Sequence, residues 1–144
     1  MELLRRNGDY SIRALLALGA LPAGRTLSAG RLSRAAKVAE PLLRKLLQKL
    51  ARAGVVESAK GAGGGFRLAR RPRGISILEV IEPVQGRLAI NRCFLGRRRC
   101  PRQGHCRVSR RLAGIQDRLV RLFEGLTLAD LMAGEGSPAA GRTG

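Results

Sequence analysis

Hydrophobic positions in the first third of the chain recur at helical intervals in three stretches. The first stretch covers residues 10–21, where the leucines and one isoleucine lie three or four positions apart. The second covers about residues 28–36 and begins at a capping residue, Ser28. The third opens at Glu40 and Pro41, which suit the positive end of a helix dipole and the first helical position. The pattern predicts three helices, with a tight turn between the last two.

The third predicted helix has two chemically different faces. Its inward positions are leucines, whereas its outward positions are all hydrogen-bond donors: Arg44, Lys45, Gln48, Lys49 and Arg52. A solvated basic face is one interpretation of this pattern. A pair of helices whose second member presents long donor side chains also matches the element that enters the DNA major groove.

A glycine-rich turn follows between two short extended runs, residues 55–59 and 66–69. The turn contains Lys60, Gly63 and Gly64, and its glycines permit positive φ and a close approach of two backbones. A nucleotide-phosphate loop is excluded because no Gly-Lys-Ser/Thr follows. The alternative to a simple flexible turn is a wing, a hairpin whose flanking cations bind phosphate beside the helix-turn-helix.

The second half of the chain predicts two further helices. Residues 75–86 form a short amphipathic helix that closes the first domain. Residues 107–126 carry a continuous apolar stripe: Val108, Leu112, Ile115, Leu119, Leu122, Phe123 and Leu126. This stripe either packs on the core of its own chain or forms a dimerisation helix, which the two-fold symmetry of DNA operators would favour. One more helical turn follows at "TLADLM".

These elements predict a mainly α fold with a small β-hairpin, arranged as a winged helix-turn-helix followed by a long C-terminal dimerisation helix. The expected organisation has four parts: a DNA-binding domain (1–86), a cysteine segment (87–106), a dimerisation helix with a short helical turn (107–132) and a tail that is disordered by composition (133–144).

Composition adds a strong positive charge to this arrangement. The 144 residues include 28 Lys+Arg and 10 Asp+Glu, for a formal net charge of +18. Such a charge favours a polyanionic partner, with nucleic acid ahead of an anionic membrane surface. No apolar run reaches the roughly 18 residues of a membrane span, and no secretory signal is evident. A cytoplasmic protein without a membrane segment is expected.

All three cysteines lie in the arginine-rich cysteine segment, at Cys93, Cys100 and Cys106. Their spacing differs from the C-x2-C pairs of structural zinc sites, and an odd count argues against a purely disulfide role. A catalytic thiol with His105 as its base lacks a third orienting group. Neighbouring arginines offset the negative charge of thiolates. An iron-sulfur cluster, a zinc ion and free or redox-active thiols therefore remain as alternatives.

The order of these features resembles the Rrf-type winged-helix regulators. The resemblance rests on the helix-turn-helix, the "GAGGGFRL" stretch with its G-x-G-G-G-[FY]-x-L pattern, and the downstream cysteine triplet. It implies a homodimeric transcription factor, not an enzyme, that binds promoter or operator DNA. It also implies one 2Fe-2S or 4Fe-4S cluster per subunit, whose loss, oxidation or nitrosylation changes DNA affinity. The alternative is a DNA-binding regulator without a cluster, whose cysteines bind zinc or act as redox sensors.

Site residues follow from the resemblance position by position. The cluster ligands would be Cys93, Cys100 and Cys106, although the first gap is one residue longer than is usual in the family. The DNA-contacting positions would be Ser28, Pro41, Arg44, Lys45, Gln48, Lys60, Gly63 and Gly64. The family usually has an acidic or polar residue where Arg44 stands, so its base preference does not transfer.

The fourth cluster ligand would lie outside the triplet. One branch of the family has a histidine three residues after the last cysteine, where this chain has Ser109. The nitric-oxide-sensing branch uses an N-terminal aspartate from the partner subunit, and the segment "DYSIR" places Asp9 there. His105 is the competing ligand. The alternative role for Asp9 is an N-terminal helix cap.

Overall fold

The computed structural model describes residues 2–95, 101–102 and 104–134. Within these ranges it contains six α-helices and one antiparallel hairpin, which confirms the mainly α fold with a small β-hairpin. Their bounds are α1 Arg6–Gly19, α2 Ala29–Ala36, α3 Glu40–Arg52, β1 Val56–Ala59, β2 Gly65–Leu68, α4 Ile77–Gln85, α5 Arg107–Gly125 and α6 Leu128–Met132. Short 3-10 turns cover Pro72–Gly74 and Arg92–Phe94. Cys100 and residues 135–144 of the predicted tail lie outside the described residues.

The core forms where α1 packs against α2, α3 and α4. Leucines three or four positions apart on α3 supply its inward face, and all four are at most 1% exposed: Leu43, Leu46, Leu47 and Leu50. Leu15 of α1 and Ile81 of α4 are fully buried against the same cluster. This burial fixes which side of α3 faces solvent, because one helix face can pack on the core only if the opposite face points outward.

The turn between α2 and α3 is three residues long and depends on one unusual backbone conformation. Ser28 caps the start of α2 by accepting a hydrogen bond from the Arg31 N–H, as predicted. Lys37 ends α2 with φ 54° and ψ 49°, in the left-handed region, and its neighbour Val38 is buried. The left-handed residue reverses the chain within one turn and so sets α3 against α2.

The hairpin pairs β1 with β2 in the register Val56↔Leu68 to Ala59↔Gly65. The first strand begins one residue later than predicted, and the second is shifted by one residue toward the N-terminus. Leu27, just before α2, extends this sheet through two backbone hydrogen bonds to Phe66, of 3.0 and 2.7 Å. A side chain at Gly65 would place its Cβ 2.3 Å from the Leu27 carbonyl oxygen. The expected close approach of two backbones at the glycines is therefore confirmed. We call residues 56–68 the wing.

A capping box begins α4, and the residue before this box contacts α6. Ser76 Oγ accepts from the Glu79 N–H, and the Glu79 carboxylate accepts from the Ser76 N–H and from Arg70. Desolvation raises the pKa of Glu79, but these hydrogen bonds outweigh it and leave the pKa below the ordinary 4.5. Leu128 of α6 is fully buried, and its N–H donates to the Ile75 carbonyl. The start of α6 is thereby held against the start of α4.

Two sequence expectations need correction at helix ends. The first helix begins at Arg6, four residues earlier than predicted, and Arg5 rather than Asp9 is its N-cap. The early start is stabilised by Gln85, whose Oε1 accepts a hydrogen bond from the Arg5 N–H at 2.9 Å. In α3 the residue before Glu40 is the cap, so Pro41 occupies the second helical position.

No helix in the described ranges is long and apolar enough to cross a membrane.

Candidate nucleic-acid interface and cysteine segment

The exposed face of α3 carries the predicted donors. Lys45 and Gln48 are exposed, and neither side chain forms a hydrogen bond or ion pair within the described part of the chain. Arg44 is also exposed but is held by Glu40, one turn earlier, through Nη2–Oε1 and Nε–Oε1 distances of 2.7 and 3.1 Å. This ion pair orders the Arg44 guanidinium and leaves its Nη1 free to donate. The face thus combines one oriented donor side chain with donor side chains that have no partner in the described part of the chain.

The N-terminal ends of α2 and α3 each carry one further predicted contact residue. Ser28 uses its hydroxyl oxygen as the α2 cap, so its hydroxyl hydrogen remains available to a phosphate. Pro41 is exposed in the first turn of α3. Both residues are therefore at the surface, with Ser28 also serving a structural role.

The wing turn is held by a side chain that the sequence patterns did not single out. Thr26 Oγ1 donates to the Gly63 carbonyl at 3.0 Å, and Gly63 has φ +77°, where L side chains are strained. The Gly64 N–H donates to Gly61 at 2.9 Å, and a Cβ at Gly64 would lie 2.4 Å from the Ala59 carbonyl. Lys60 remains exposed beside these glycines. The only indication of this contact in the sequence is that Thr26, directly before Leu27, is a β-branched residue.

Few of the cations are neutralised. The described part of the chain contains four ion pairs, all between partly exposed side chains: Arg13–Asp9, Arg44–Glu40, Arg67–Glu57 and Arg70–Glu79. Most of the Lys and Arg side chains in these described ranges therefore have no carboxylate partner there. The exposed cations on α3 and the wing are of the kind that binds phosphate, and phosphate contacts supply most of the electrostatic affinity of proteins for DNA.

Two of the three predicted cluster ligands lie in the described residues. Cys93 lies in the short turn Arg92–Phe94, and Cys106 is the N-cap of α5; both are half-buried free thiols. The Cys106 sulfur accepts a hydrogen bond from the Ser109 N–H at 3.4 Å. The described residues contain no group of three or more potential metal ligands. Cys100, which would complete the triplet, lies outside them.

The two candidates for a fourth ligand have different surroundings. Asp9 is half-buried in the first turn of α1, and its carboxylate pairs with Arg13 Nε at 2.9 Å. His105 is exposed directly before Cys106, and its backbone N–H donates to the Arg102 carbonyl at 3.0 Å. The structure brings neither side chain into a ligand group with the described cysteines.

The α5 helix divides its apolar stripe between two faces. Leu119 and Phe123 pack partly against the core. Four others remain exposed along one side of the helix, at 60%, 55%, 70% and 36%: Val108, Ile115, Leu122 and Leu126. We call these four residues the seam. Both alternatives for the stripe therefore have a structural basis, because one face packs on the chain itself and the other has no partner within the described residues.

Comparison with known proteins agrees with this geometry. A profile of the Rrf2 family, described as an iron-dependent transcriptional regulator, matches residues 4–134. The HTH-type transcriptional regulator NsrR of Geobacillus kaustophilus is 31% identical over 125 residues, which cover 86% of this chain and 85% of that protein. Protein aau3 of Rhizobium meliloti is 32% identical over 131 residues, covering 90% of this chain and 84% of that protein.

Solved structures share the fold. CymR, the global cysteine regulator of B. subtilis, superposes with a TM-score of 0.71 at 22% identity, covering 92% of this chain and 98% of CymR. T. potens IscR gives a TM-score of 0.70 at 24% identity, with coverage of 90% and 85%. The family match across most of the length, together with the helix-turn-helix and the wing, shows that the chain belongs to the Rrf2 family of iron-dependent transcriptional regulators, which are DNA-binding proteins and not enzymes.

Proposed function

We propose that the chain is a homodimeric regulator whose affinity for operator DNA depends on an iron-sulfur cluster held by Cys93, Cys100 and Cys106. The observation that carries this proposal is the position of Cys106. It caps α5, the same helix whose seam has no partner within the described residues. A change at the sulfur therefore acts directly on the first turn of the helix proposed to join the two subunits.

The residues present fit such a cluster chemically. Cysteine sulfur is the usual ligand of iron-sulfur clusters, and Cys93 and Cys106 are both unbridged. The N–H···S hydrogen bond from Ser109 and the N-terminus of α5 both favour a negatively charged group at Cys106. When bound, the cluster would supply the reactivity toward oxidants or nitric oxide. The chain's own residues hold it and transmit its state.

Asp9 of the partner subunit is proposed as the fourth ligand, ahead of His105. The carboxylate already has a cationic neighbour in Arg13, so serving as a ligand requires it to leave or share that ion pair. Arg13→Ala provides a matched control, since it removes the ion pair but keeps the carboxylate. Loss of cluster in Asp9→Ala but not in Arg13→Ala or His105→Ala would support ligation by Asp9.

The cluster is tested by purification without oxygen. We expect a brown protein with visible absorption and with iron and inorganic sulfide in equal amounts. Cys93→Ala, Cys100→Ala and Cys106→Ala should each lose the colour while retaining the helical circular dichroism of the wild type. A colourless wild-type protein with one zinc per chain would instead favour the regulator without a cluster.

For DNA recognition we propose that α3 enters the major groove and that the wing contacts the adjacent backbone. Arg44, Lys45 and Gln48 would contact base edges or nearby phosphates. Lys60, Gly63, Gly64 and the free hydroxyl hydrogen of Ser28 would contact phosphates, with exposed Pro41 packing near the backbone. In a two-fold dimer the two recognition helices would address half-sites about 34 Å apart.

The test uses a duplex selected by the wild-type protein from a random pool, with binding followed by fluorescence anisotropy at several salt concentrations. Arg44→Ala should weaken binding by roughly 5- to 150-fold, corresponding to about 1–3 kcal/mol for a base contact. Lys60→Ala should mainly reduce the salt slope by about one. Arg121→Ala, on the exposed side of α5, is the matched control. Equal effects of all three substitutions would contradict this interface.

A further inference from the structure

The single buried polar residue of α5 connects this helix to the cysteine segment. Gln116 is 5% exposed, and both the oxygen and the nitrogen of its side-chain amide form hydrogen bonds with the backbone. Its Oε1 accepts from the Ile90 N–H at 2.9 Å, and its Nε2 donates to the Leu88 carbonyl at 2.8 Å. The amide thus pairs with residues 88 and 90 as a neighbouring β-strand would.

These two bonds are costly to lose because the bond to the Leu88 carbonyl is buried and the bond from the Ile90 N–H is partly buried. A buried N–H or carbonyl without a partner carries its full desolvation penalty, whereas its net gain when paired is smaller. No other residue of α5 is buried. Gln116 is therefore the buried polar contact between α5 and the rest of the chain, and its partner Ile90 is only three residues before Cys93.

A second contact continues from the same short segment to α4. The Leu88 N–H donates to the Glu82 carboxylate at 3.3 Å, and the Leu88 side chain is 1% exposed in the core. In turn α4 packs on α1 and α3 of the helix-turn-helix. Residues 88–90 are thus attached to α5 through Gln116. They are attached to α4, which packs on the helix-turn-helix, through Glu82 and the side chain of Leu88.

We infer that Gln116 is a positioning residue that couples the cysteine segment to α5, so that displacement of Cys93 moves α5 relative to the DNA-binding elements. This inference deepens the proposed function and rests on it for the signal that displaces Cys93. The attachment itself is a property of the metal-free chain. It can therefore be tested without any cluster.

Gln85 offers a matched comparison for the attachment. Its amide makes the same bidentate pairing, accepting from the Arg5 N–H at 2.9 Å and donating to the Leu3 carbonyl at 2.7 Å. Methionine has nearly the length and volume of glutamine without its hydrogen bonds. The variants Gln116→Met and Gln85→Met therefore remove equivalent bonds at two different places.

The first experiment is hydrogen exchange of the metal-free protein, read by mass spectrometry. Gln116→Met should speed exchange about tenfold in peptides covering residues 88–95, while the helices of the core keep their protection. Gln85→Met should leave residues 88–95 unchanged and act on residues 3–5 instead. Unchanged exchange at 88–95 in Gln116→Met would overturn the inference.

The second experiment compares the affinity for the selected duplex with and without reconstituted cluster. In Gln116→Met the ratio of the two affinities should fall toward one, while the metal-free affinity stays within about twofold of wild type. A ratio equal to that of wild type would overturn the coupling. If the wild-type ratio is itself one, the proposed function fails, whereas the exchange result still decides whether Gln116 holds the segment.

A second variant covers the case in which Gln116→Met does not fold. Gln116→Glu keeps the acceptor for the Ile90 N–H but loses the donor to the Leu88 carbonyl. It should give intermediate exchange at residues 88–95 and an intermediate affinity ratio. Wild-type values for both measurements would overturn the inference.

Discussion

Two serines inside helices differ in whether their hydroxyl finds a partner. Ser11 of α1 is fully buried, and its Oγ has no hydrogen-bond partner in the described part of the molecule. Ser33 of α2 donates to the Val38 carbonyl, in the turn that sets α3. The same residue type therefore destabilises one helix and stabilises the connection after another.

Replacing each serine by alanine should change stability in opposite directions. Ser11→Ala should raise the free energy of unfolding by about 0.5–1 kcal/mol, because it removes an unpaired buried hydroxyl and improves helix propensity. Ser33→Ala should lower it by about 1 kcal/mol through the lost bond to Val38. Urea denaturation followed by circular dichroism measures both. A destabilised Ser11→Ala would show that its hydroxyl has a partner after all.

Among the elements, the start of α4 depends on the ionised state of Glu79. Its pKa is lowered in the folded chain, despite desolvation, by hydrogen bonds from Ser76 and Arg70. A lowered carboxyl pKa means that the folded state binds protons less readily than the unfolded state. The stabilisation is therefore present above about pH 4.5 and is lost as the pH falls through the folded pKa.

Glu79→Gln should remove this pH dependence while keeping the capping box, in which glutamine also functions. The free energy of unfolding at pH 7 should fall by no more than about 1 kcal/mol, because the Glu79 side chain is 44% exposed and solvent screens the Arg70–Glu79 ion pair. Urea midpoints of variant and wild type should converge as the pH falls from 4.5 through the lowered folded pKa of Glu79. In an Arg70→Met background the effect should shrink, and an undiminished effect would show that Arg70 contributes nothing.

The wing depends on Gly65 for a steric reason, not a conformational one. Gly65→Ala should break the Leu27–Phe66 pairing and lower the free energy of unfolding by about 1–3 kcal/mol, since the added Cβ cannot fit against the Leu27 carbonyl. Gly74→Ala is the matched control, because a Cβ there meets nothing within 4 Å and the backbone needs no positive φ. Thermal denaturation distinguishes them; equal effects would exclude the steric explanation.

At the scale of the whole molecule, the proposed homodimer depends on the seam. Val108, Ile115 and Leu122 recur every seven residues on one side of a 19-residue helix, and each is more than half exposed. Seven-residue apolar spacing is the pattern by which two helices pack along their length. An apolar row of this kind favours a second copy of the same chain, because two-fold symmetry makes the surface complementary to itself.

Ile115→Asp and Leu122→Asp should each convert the proposed dimer into a folded monomer, with unchanged helical circular dichroism, since neither side chain belongs to the core. Light scattering after size-exclusion chromatography measures the mass. Arg121→Asp, on the same helix but beside the seam, should remain dimeric. A dimer that survives both seam substitutions would place the subunit interface elsewhere.

Patterns among neighbouring residues in the sequence predicted most of the helices and the wing. The leucine spacing of α3, the Ser28 cap and the glycine run each act within a few residues, so periodicity and backbone preferences were enough to identify the helix-turn-helix and the wing. The outward basic face followed, because a helix that buries its leucines must expose the positions between them. Helix ends were less predictable, and α1 begins early because of a distant residue, Gln85.

Contacts between residues that are distant in the sequence could be identified only from the tertiary structure. Gln116 and Leu88 are 28 residues apart, and Thr26 and Gly63 are 37 apart. Neither pair leaves a periodic signal, because a single polar side chain has no pattern of its own. The α5 stripe shows the same division. Its spacing predicted an apolar helix, but only packing against α4 and the core determined that Leu119 and Phe123 turn inward while Val108, Ile115 and Leu122 remain exposed.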